Sequence, residues 1–211
     1  MKGFLAARIV RGTAGRLLLL ALRARFEGVE NVPASGAVLA GNHVSYMDPI
    51  VLWCGGPRPV HFMAKREIWD SKFFAWAMPR LWSFPISRGE PDREAIQTAT
   101  DLLRSGELIG VFPEGTRAAE GSAELGEAHG GAAFLALRAE VPIVPVAFVG
   151  TEKVWPRGQK LPKFRRVLVR YGTPITPEDV GEGGRKERVS RMTAMLMTRI
   201  GEELEEARRR Y

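Results

Sequence analysis

The chain has 211 residues, 45% of them hydrophobic and 26% charged, which suits one globular domain with a sizeable core and excludes a disordered or polytopic membrane chain. Its one cysteine, Cys54, excludes an internal disulfide and fits a reducing compartment. The net charge of +7 is uneven: of 31 basic residues, six lie in residues 1–25, where there is no acid, and the other 25 face 24 acids. The basic character therefore reads as N-terminal, unlike the spread basic face of a nucleic-acid binder, and no nucleic-acid partner is expected.

Residues 3–26 interleave Phe4, Leu5, Ile9, Leu17, Leu18 and Leu20 with arginines. The longest charge-free apolar run, Leu17 to Leu22, falls far short of the roughly 20 residues that span a bilayer. No secretory cleavage pattern follows it. The segment is expected to be a basic amphipathic helix associated with an anionic membrane surface, weakened by Gly12 and Gly15 into two short helices. The ordinary alternative is a helix packed on its own domain with its arginines in water.

From Phe26 onward short β-like runs alternate with longer helical ones. Strands are predicted near 25–29, 37–42, 59–64, 83–87, 108–112, 143–149 and 166–171, and helices at 47–54, 67–80, 92–105, 129–139 and 187–209. The alternation argues for an α/β fold: a single domain over residues 26–211 with a mostly parallel, mixed sheet flanked by helices, preceded by the segment 1–25. Pro142 and Pro145 mark the sixth strand as an imperfect ladder member, at an edge or a bulge. Trp53, Trp69, Trp76 and Trp82 crowd four of the five tryptophans together, either as core or as an apolar wall or membrane-facing patch. Val189, Met192, Leu196, Ile200 and Leu204 form a packing stripe on the last helix.

Chemistry gathers in four stretches. Asn42-His43-Val44-Ser45-Tyr46-Met47-Asp48 lies where a strand pattern gives way to a helix. Histidine exchanges a proton near neutrality, and a carboxylate can fix its tautomer and support the protonated ring. Phe84-Pro85-Ile86-Ser87-Arg88 and Phe112-Pro113-Glu114-Gly115-Thr116-Arg117 also end predicted strands, and Val141-Pro142-Ile143-Val144-Pro145 opens another. Ligands bind outside the carboxyl ends of strands in open α/β sheets. There, arginine forks suit phosphate, and Gly115 lets backbone N–H groups approach an anion. His61 reads as a hydrogen-bonded structural histidine. Three scattered histidines and one cysteine give no ligand spacing, so neither metal nor cofactor is expected.

In this order the four stretches resemble the sequence blocks of the glycerolipid acyltransferase family, which includes the lysophosphatidate acyltransferases. The resemblance runs from about residue 26 to 175. It implies transfer of a fatty acyl group from acyl-CoA or acyl-carrier protein to the sn-2 hydroxyl of a lysophospholipid acceptor, 1-acylglycerol-3-phosphate, at the cytoplasmic face of the cell membrane. His43 would take the hydroxyl proton and Asp48 would orient His43, with no covalent enzyme intermediate. Arg88, Glu114, Gly115, Thr116 and Arg117 would hold the glycerol phosphate, with Glu114 orienting Arg88 or Arg117 or touching a glycerol hydroxyl. Pro142 would lie beside the acyl-donor site.

One departure stands out. Where the family often has Phe-Lys-x-Gly-Ala, this chain reads Ala128-His129-Gly130-Gly131-Ala132. His129 takes the place of a lysine expected near the phosphate, which leaves open another lysophospholipid or an amino-acid lipid as acceptor. Two readings from other classes also stay open. A lipid hydrolase would use the pair to activate water, but the nucleophile elbow or metal ligands it needs are not in the sequence. A non-catalytic lipid-binding protein would have no use for a base.

Overall fold

The structure, a computed structural model, describes residues 7–87, 92–115, 125–155 and 161–211, apart from the side chains of residues 73, 74, 77 and 80. Seven strands form one sheet: β1 (Arg25–Glu27), β2 (Ala37–Gly41), β3 (Val60–Lys65), β4 (Ser83–Ile86), β5 (Leu108–Val111), β6 (Ile143–Val149) and β7 (Leu168–Tyr171). Their order is β1-β7-β6-β2-β5-β3-β4, parallel throughout except between β6 and β7. All seven predicted strands are present, and the sheet is mixed as expected.

The helices are α1 (Arg16–Ala21), α2 (Met47–Gly55), α3 (Lys72–Ala77), α4 (Arg93–Arg104), α5 (Gly131–Ala139), α6 (Thr151–Val154) and α7 (Arg185–Arg210). They cover both faces of the sheet, which is why β2 and β6 are buried at every position and read as continuous apolar runs. On one face Leu39, Val146 and Phe148 meet Val51, Leu52 and Trp53 of α2. On the other, Val38 and Ile143 meet Leu103 of α4, Ala136 of α5 and the Met192, Leu196, Ile200 stripe of α7. The chain leaves β2 toward α2 on the first face and leaves β5 toward α5 on the second. Since β2 and β5 are neighbours, a crevice opens at their carboxyl ends.

Two expectations are corrected by packing. β6 is an interior strand and not an edge, but its pairing with the chain after β7 steps by one residue, from Pro145 opposite Gly172 to Ile143 paired with Ile175, which is a bulge on the partner side. Pro145 is tolerated because its missing N–H faces Gly172 beside that one-residue step, where regular pairing is already interrupted. The Pro145 carbonyl still accepts from Gly172 N at 2.8 Å, so a single ladder bond is lost. The helix predicted at 67–80 is broken into a 3-10 turn (Arg66–Asp70), α3 and a second 3-10 turn (Met78–Leu81). Ser71 is extended and Pro79 lies in the second turn, so neither continues an α-helix. The tryptophans divide accordingly. Trp53 and Trp82 are core, with ring centroids 5.3 Å apart, whereas Trp76 is 59% exposed.

Residues 7–21 are helical throughout, with a π-helical stretch, Arg11–Gly15, where two helices were expected. Gly15 supplies space for α2, since a Cβ there would lie 3.1 Å from Cys54 Sγ. Arg11 folds inward. Its Nε donates to Trp53 O at 2.8 Å and its guanidinium also reaches Gly56 O, satisfying carbonyls at the C-terminus of α2. Ala7 and Leu22 are buried, while Ile9, Val10, Leu17 and Leu20 face outward with Arg8, Arg16 and Arg23.

Candidate active site

β2 ends at Gly41, which has no side chain because a Cβ would meet the Phe148 ring at 2.7 Å and Val146 O at 2.8 Å. Asn42 then carries the ladder one step further with its side chain. Its Nδ2 donates to Phe148 O at 3.1 Å, and Phe148 N donates to its Oδ1 at 2.8 Å. The Asn42 side-chain amide is thus committed to β6. It fixes where His43 leaves the sheet.

His43 and Asp48 meet although five residues apart. His43 sits in the turn and Asp48 in the first turn of α2, and His43 Nδ1 lies 2.9 Å from Asp48 Oδ2. The same oxygen accepts from Val44 N at 2.8 Å and Ser45 N at 2.7 Å, so one carboxylate closes the whole turn. Asp48 is fully buried, and its Oδ1 has no hydrogen-bond partner among the described residues. A carboxylate beside the ring can orient the imidazole and stabilise an imidazolium formed there. With Nδ1–H donating to Asp48, the basic nitrogen of His43 is Nε2. The ring stacks on Phe112 at 4.1 Å and keeps 18% of its side chain exposed, enough for a substrate to reach it.

The arginines that Glu114 is expected to orient, Arg88 and Arg117, lie outside the described residues. Glu114 is buried; its Oε1 accepts from His43 N at 3.0 Å and its Oε2 from Gly126 N at 2.9 Å. Its visible contacts are two backbone amides, so it clamps the catalytic turn to the chain after β5. Glu114→Gln can offer only one oxygen to those two donors. We expect a loss of about 1–3 kcal/mol of stability for the donor left without an acceptor, seen as a lower denaturation midpoint at unchanged slope, with a fall in kcat. A midpoint equal to the wild type's would mean that these two bonds do not hold the turn.

Gly115 takes a φ of +66°, and a Cβ there would lie 3.0 Å from Cδ2 of His129. His129 is exposed, held by its own N–H to Pro113 O at 2.9 Å, so the structure sets it beside the Glu114–Gly115 turn. Arg88, Thr116 and Arg117 lie outside the described residues. Up to Arg88 the frame is visible: Ser87 N donates to Asp92 at 2.8 Å and Arg66 Nε to Ser87 Oγ at 2.9 Å, at the carboxyl ends of β3 and β4.

Pro142 is separated by the fold from His43 and Asp48. Its carbonyl accepts from Val38 N, at the start of β2. It stands just before the amino end of β6, whereas Phe148 beside Asn42 is near the carboxyl end, about 20 Å along the strand at ~3.3 Å per residue. Its part is to seat β6 against β2, not to line the crevice at His43.

Three partners were not legible in the sequence: Phe148 for Asn42, Glu114 for the His43 backbone, and the Trp155 carbonyl, which accepts from Ser45 Oγ at 2.9 Å. Cys54 is no nucleophile, since burial pushes its thiol up to about 11. His61 is buried on β3, 3.6 Å from Glu107; burial lowers its pKa, which Glu107 partly opposes, and it stands apart from the crevice.

Comparison with known proteins fits this geometry. A family model described as Acyltransferase matches residues 23–149. The 1-acyl-sn-glycerol-3-phosphate acyltransferase of Bacillus subtilis (strain 168) is 34% identical over 175 residues, covering 82% of this chain and 84% of that protein. The enzyme of the same name from Streptococcus pneumoniae is 28% identical over 161 residues, 74% of this chain and 57% of that one. The crystal structure of the 1-acyl-sn-glycerophosphate (LPA) acyltransferase from Thermotoga maritima superposes with a TM-score of 0.72 at 25% identity, covering 93% of this chain and 80% of the other.

Proposed function

The chain belongs to the acyltransferase family, and from that premise we propose that it moves a fatty acyl group from acyl-CoA or acyl-carrier protein to the sn-2 hydroxyl of 1-acyl-sn-glycerol-3-phosphate, giving phosphatidate. The observation that carries this reading is the His43–Asp48 pair at 2.9 Å, with Nε2 open at the mouth of a crevice. The names of the relatives support the choice of acceptor.

In this mechanism His43 Nε2 takes the proton of the acceptor hydroxyl as its oxygen attacks the thioester carbonyl carbon. The new C–O bond gives a tetrahedral oxyanion, and Asp48 stabilises the imidazolium formed beside it. The oxyanion then re-forms the carbonyl, the C–S bond breaks, and the imidazolium returns its proton to the departing thiolate. Atoms and charge balance without a covalent enzyme intermediate. The direct test is an assay with labelled acyl-CoA and acyl-carrier protein over a panel of lysolipids. Acylation of lysophosphatidate is expected; an enzyme that acylated none of the panel would overturn the reading.

The phosphate of the acceptor lies, on this reading, by the Glu114–Gly115 turn and His129. Exchanging His129 for lysine puts a permanent cation there, worth a few-fold at a partly exposed site. His129→Lys is expected to lower KM for lysophosphatidate a few-fold with kcat unchanged. An unchanged KM would place the phosphate elsewhere or point to a different head group.

The enzyme works, in this proposal, at the cytoplasmic face of the cell membrane, peripherally or monotopically. No described helix is long and apolar enough to cross a membrane. The outward Ile9, Val10, Leu17 and Leu20 among exposed arginines support an interfacial role for the N-terminal helix.

A further inference from the structure

The charge count that made residues 26–211 nearly neutral conceals a local excess. In the chain from Glu152 to Arg166 there is one acid, and Lys153, Lys163, Arg165 and Arg166 are among its bases. The acid, Glu152, is turned back onto the backbone, accepting from Gly150 N at 2.7 Å. Lys153, Lys163 and Arg165 are exposed. Lys153 and Arg166 flank the Tyr211 ring, 4.5 and 5.9 Å from its centroid, which ties this cluster to the end of α7.

The apolar residues of the same segment are turned outward. Leu161 is 77% exposed and Phe164 66%. With Leu20 and Leu17 of the N-terminal helix, they are the four most exposed large hydrophobic side chains among the described residues. Outward leucine and phenylalanine alternating with lysine and arginine suit a partner that takes both. An anionic phospholipid surface does: its head groups meet the cations and its acyl boundary takes the apolar side chains.

The placement fits that partner. Lys163 N donates to Val154 O at 2.7 Å, and the next carbonyl, Trp155 O, accepts from Ser45 in the catalytic turn. Tyr46, half exposed, packs its ring 5.7 Å from that of Trp155. At its other end the segment runs into Val167, whose carbonyl accepts from Arg25 N just beyond the N-terminal helix. The strap therefore links the two features that a lipid enzyme must bring to one surface, its membrane helix and its catalytic turn.

We propose that residues 161–166 are a second membrane-docking surface for anionic phospholipid bilayers, seating the mouth of the His43 site on the lipid. The proposal rests on the membrane reading given for the N-terminal helix. Because it adds a contact beside the site, it predicts that lipid acceptors reach His43 from the bilayer side.

The test uses the full chain and vesicles of phosphatidylcholine with or without phosphatidylglycerol. Three double variants are compared: Lys163→Gln with Arg165→Gln, Leu161→Ser with Phe164→Ser, and Leu17→Ser with Leu20→Ser. Removing each strap cation is expected to weaken partitioning to phosphatidylglycerol vesicles about 5-fold, an effect that fades at high salt. The Leu161/Phe164 pair should also weaken binding and raise the apparent KM for acceptor in vesicles. Turnover of a water-soluble, short-chain acceptor should stay at the wild-type rate for both strap variants, which shows that they fold. Wild-type partitioning by both strap variants, with loss only in the Leu17/Leu20 variant, would overturn the strap and leave the helix reading standing. A wild-type chain that ignored anionic vesicles would overturn both. Normal vesicle binding by the strap variants, with turnover lost only when acyl-carrier protein is the donor, would overturn the bilayer in favour of an acidic protein partner.

Discussion

His43→Ala is expected to lower kcat by about 10²- to 10⁴-fold, the usual worth of a positioned general base, while leaving KM for both substrates near the wild-type value. The separation follows from what Nε2 does. It meets the acceptor hydroxyl most strongly when the proton is in flight, so its loss is felt in the transition state and not in the ground-state complexes. The fold should survive. The imidazole is partly exposed, and the bonds that shape the turn run through backbone N–H groups and the Asp48 and Glu114 carboxylates. Steady-state kinetics with saturating donor, beside a thermal melt, make the measurement. A rate left intact, or a loss lying wholly in KM, would remove His43 from the role of base.

Asp48→Asn should cost on the order of 10³-fold in kcat, in line with the loss when a triad aspartate becomes an amide. The side chain has nearly the same shape, so its oxygen can still accept from Val44 N and Ser45 N, and stability should fall little. What disappears is the negative charge beside the imidazole as it becomes cationic. Asp48→Ala separates the two jobs: it also leaves two buried N–H groups without an acceptor, so stability should fall by about 2–5 kcal/mol. An Asp48→Asn enzyme of wild-type rate would reduce the carboxylate to a brace for residues 43–45. Equal stability of the asparagine and alanine variants would show that the turn does not depend on those bonds.

Much of the architecture could be read along the chain because each strand is short, apolar and bounded by turn residues. Those are local signals that a two-sided sheet imposes on every strand it buries. Position in the sheet is another matter. Pro145 suggested an edge or a bulge; β6 is interior, and the proline sits where the partner chain steps by one residue, so a single ladder bond is lost. The stretch 67–80 has a helical share of apolar residues, but extended Ser71 and Pro79 divide it. The N-terminal charge count was correct as a sum and misleading as a map, since acids elsewhere in residues 26–211 offset in number the cations gathered at 153–166.

The candidate site shows the same division. His43 and Asp48 lie in one turn, so their chemistry was visible in seven residues. The Glu114 clamp joins residues 71 apart, and the bonds to Phe148 and Trp155 join residues 106 and 110 apart. Nothing local distinguishes those partners, because each depends on which strand lies beside which.

By itself, then, the sequence determined the kinds of element, the His43–Asp48 pairing and the family, because local patterns and motifs are written in consecutive residues. Only the tertiary structure decided what holds the pair in place, why Pro142 serves the far end of the sheet, and that a basic, apolar strap borders the catalytic turn. Those outcomes depend on neighbours brought together by β2, β5 and β6 lying side by side. Strand order is set by the burial of both sheet faces at once, a condition on the whole chain that no single stretch carries.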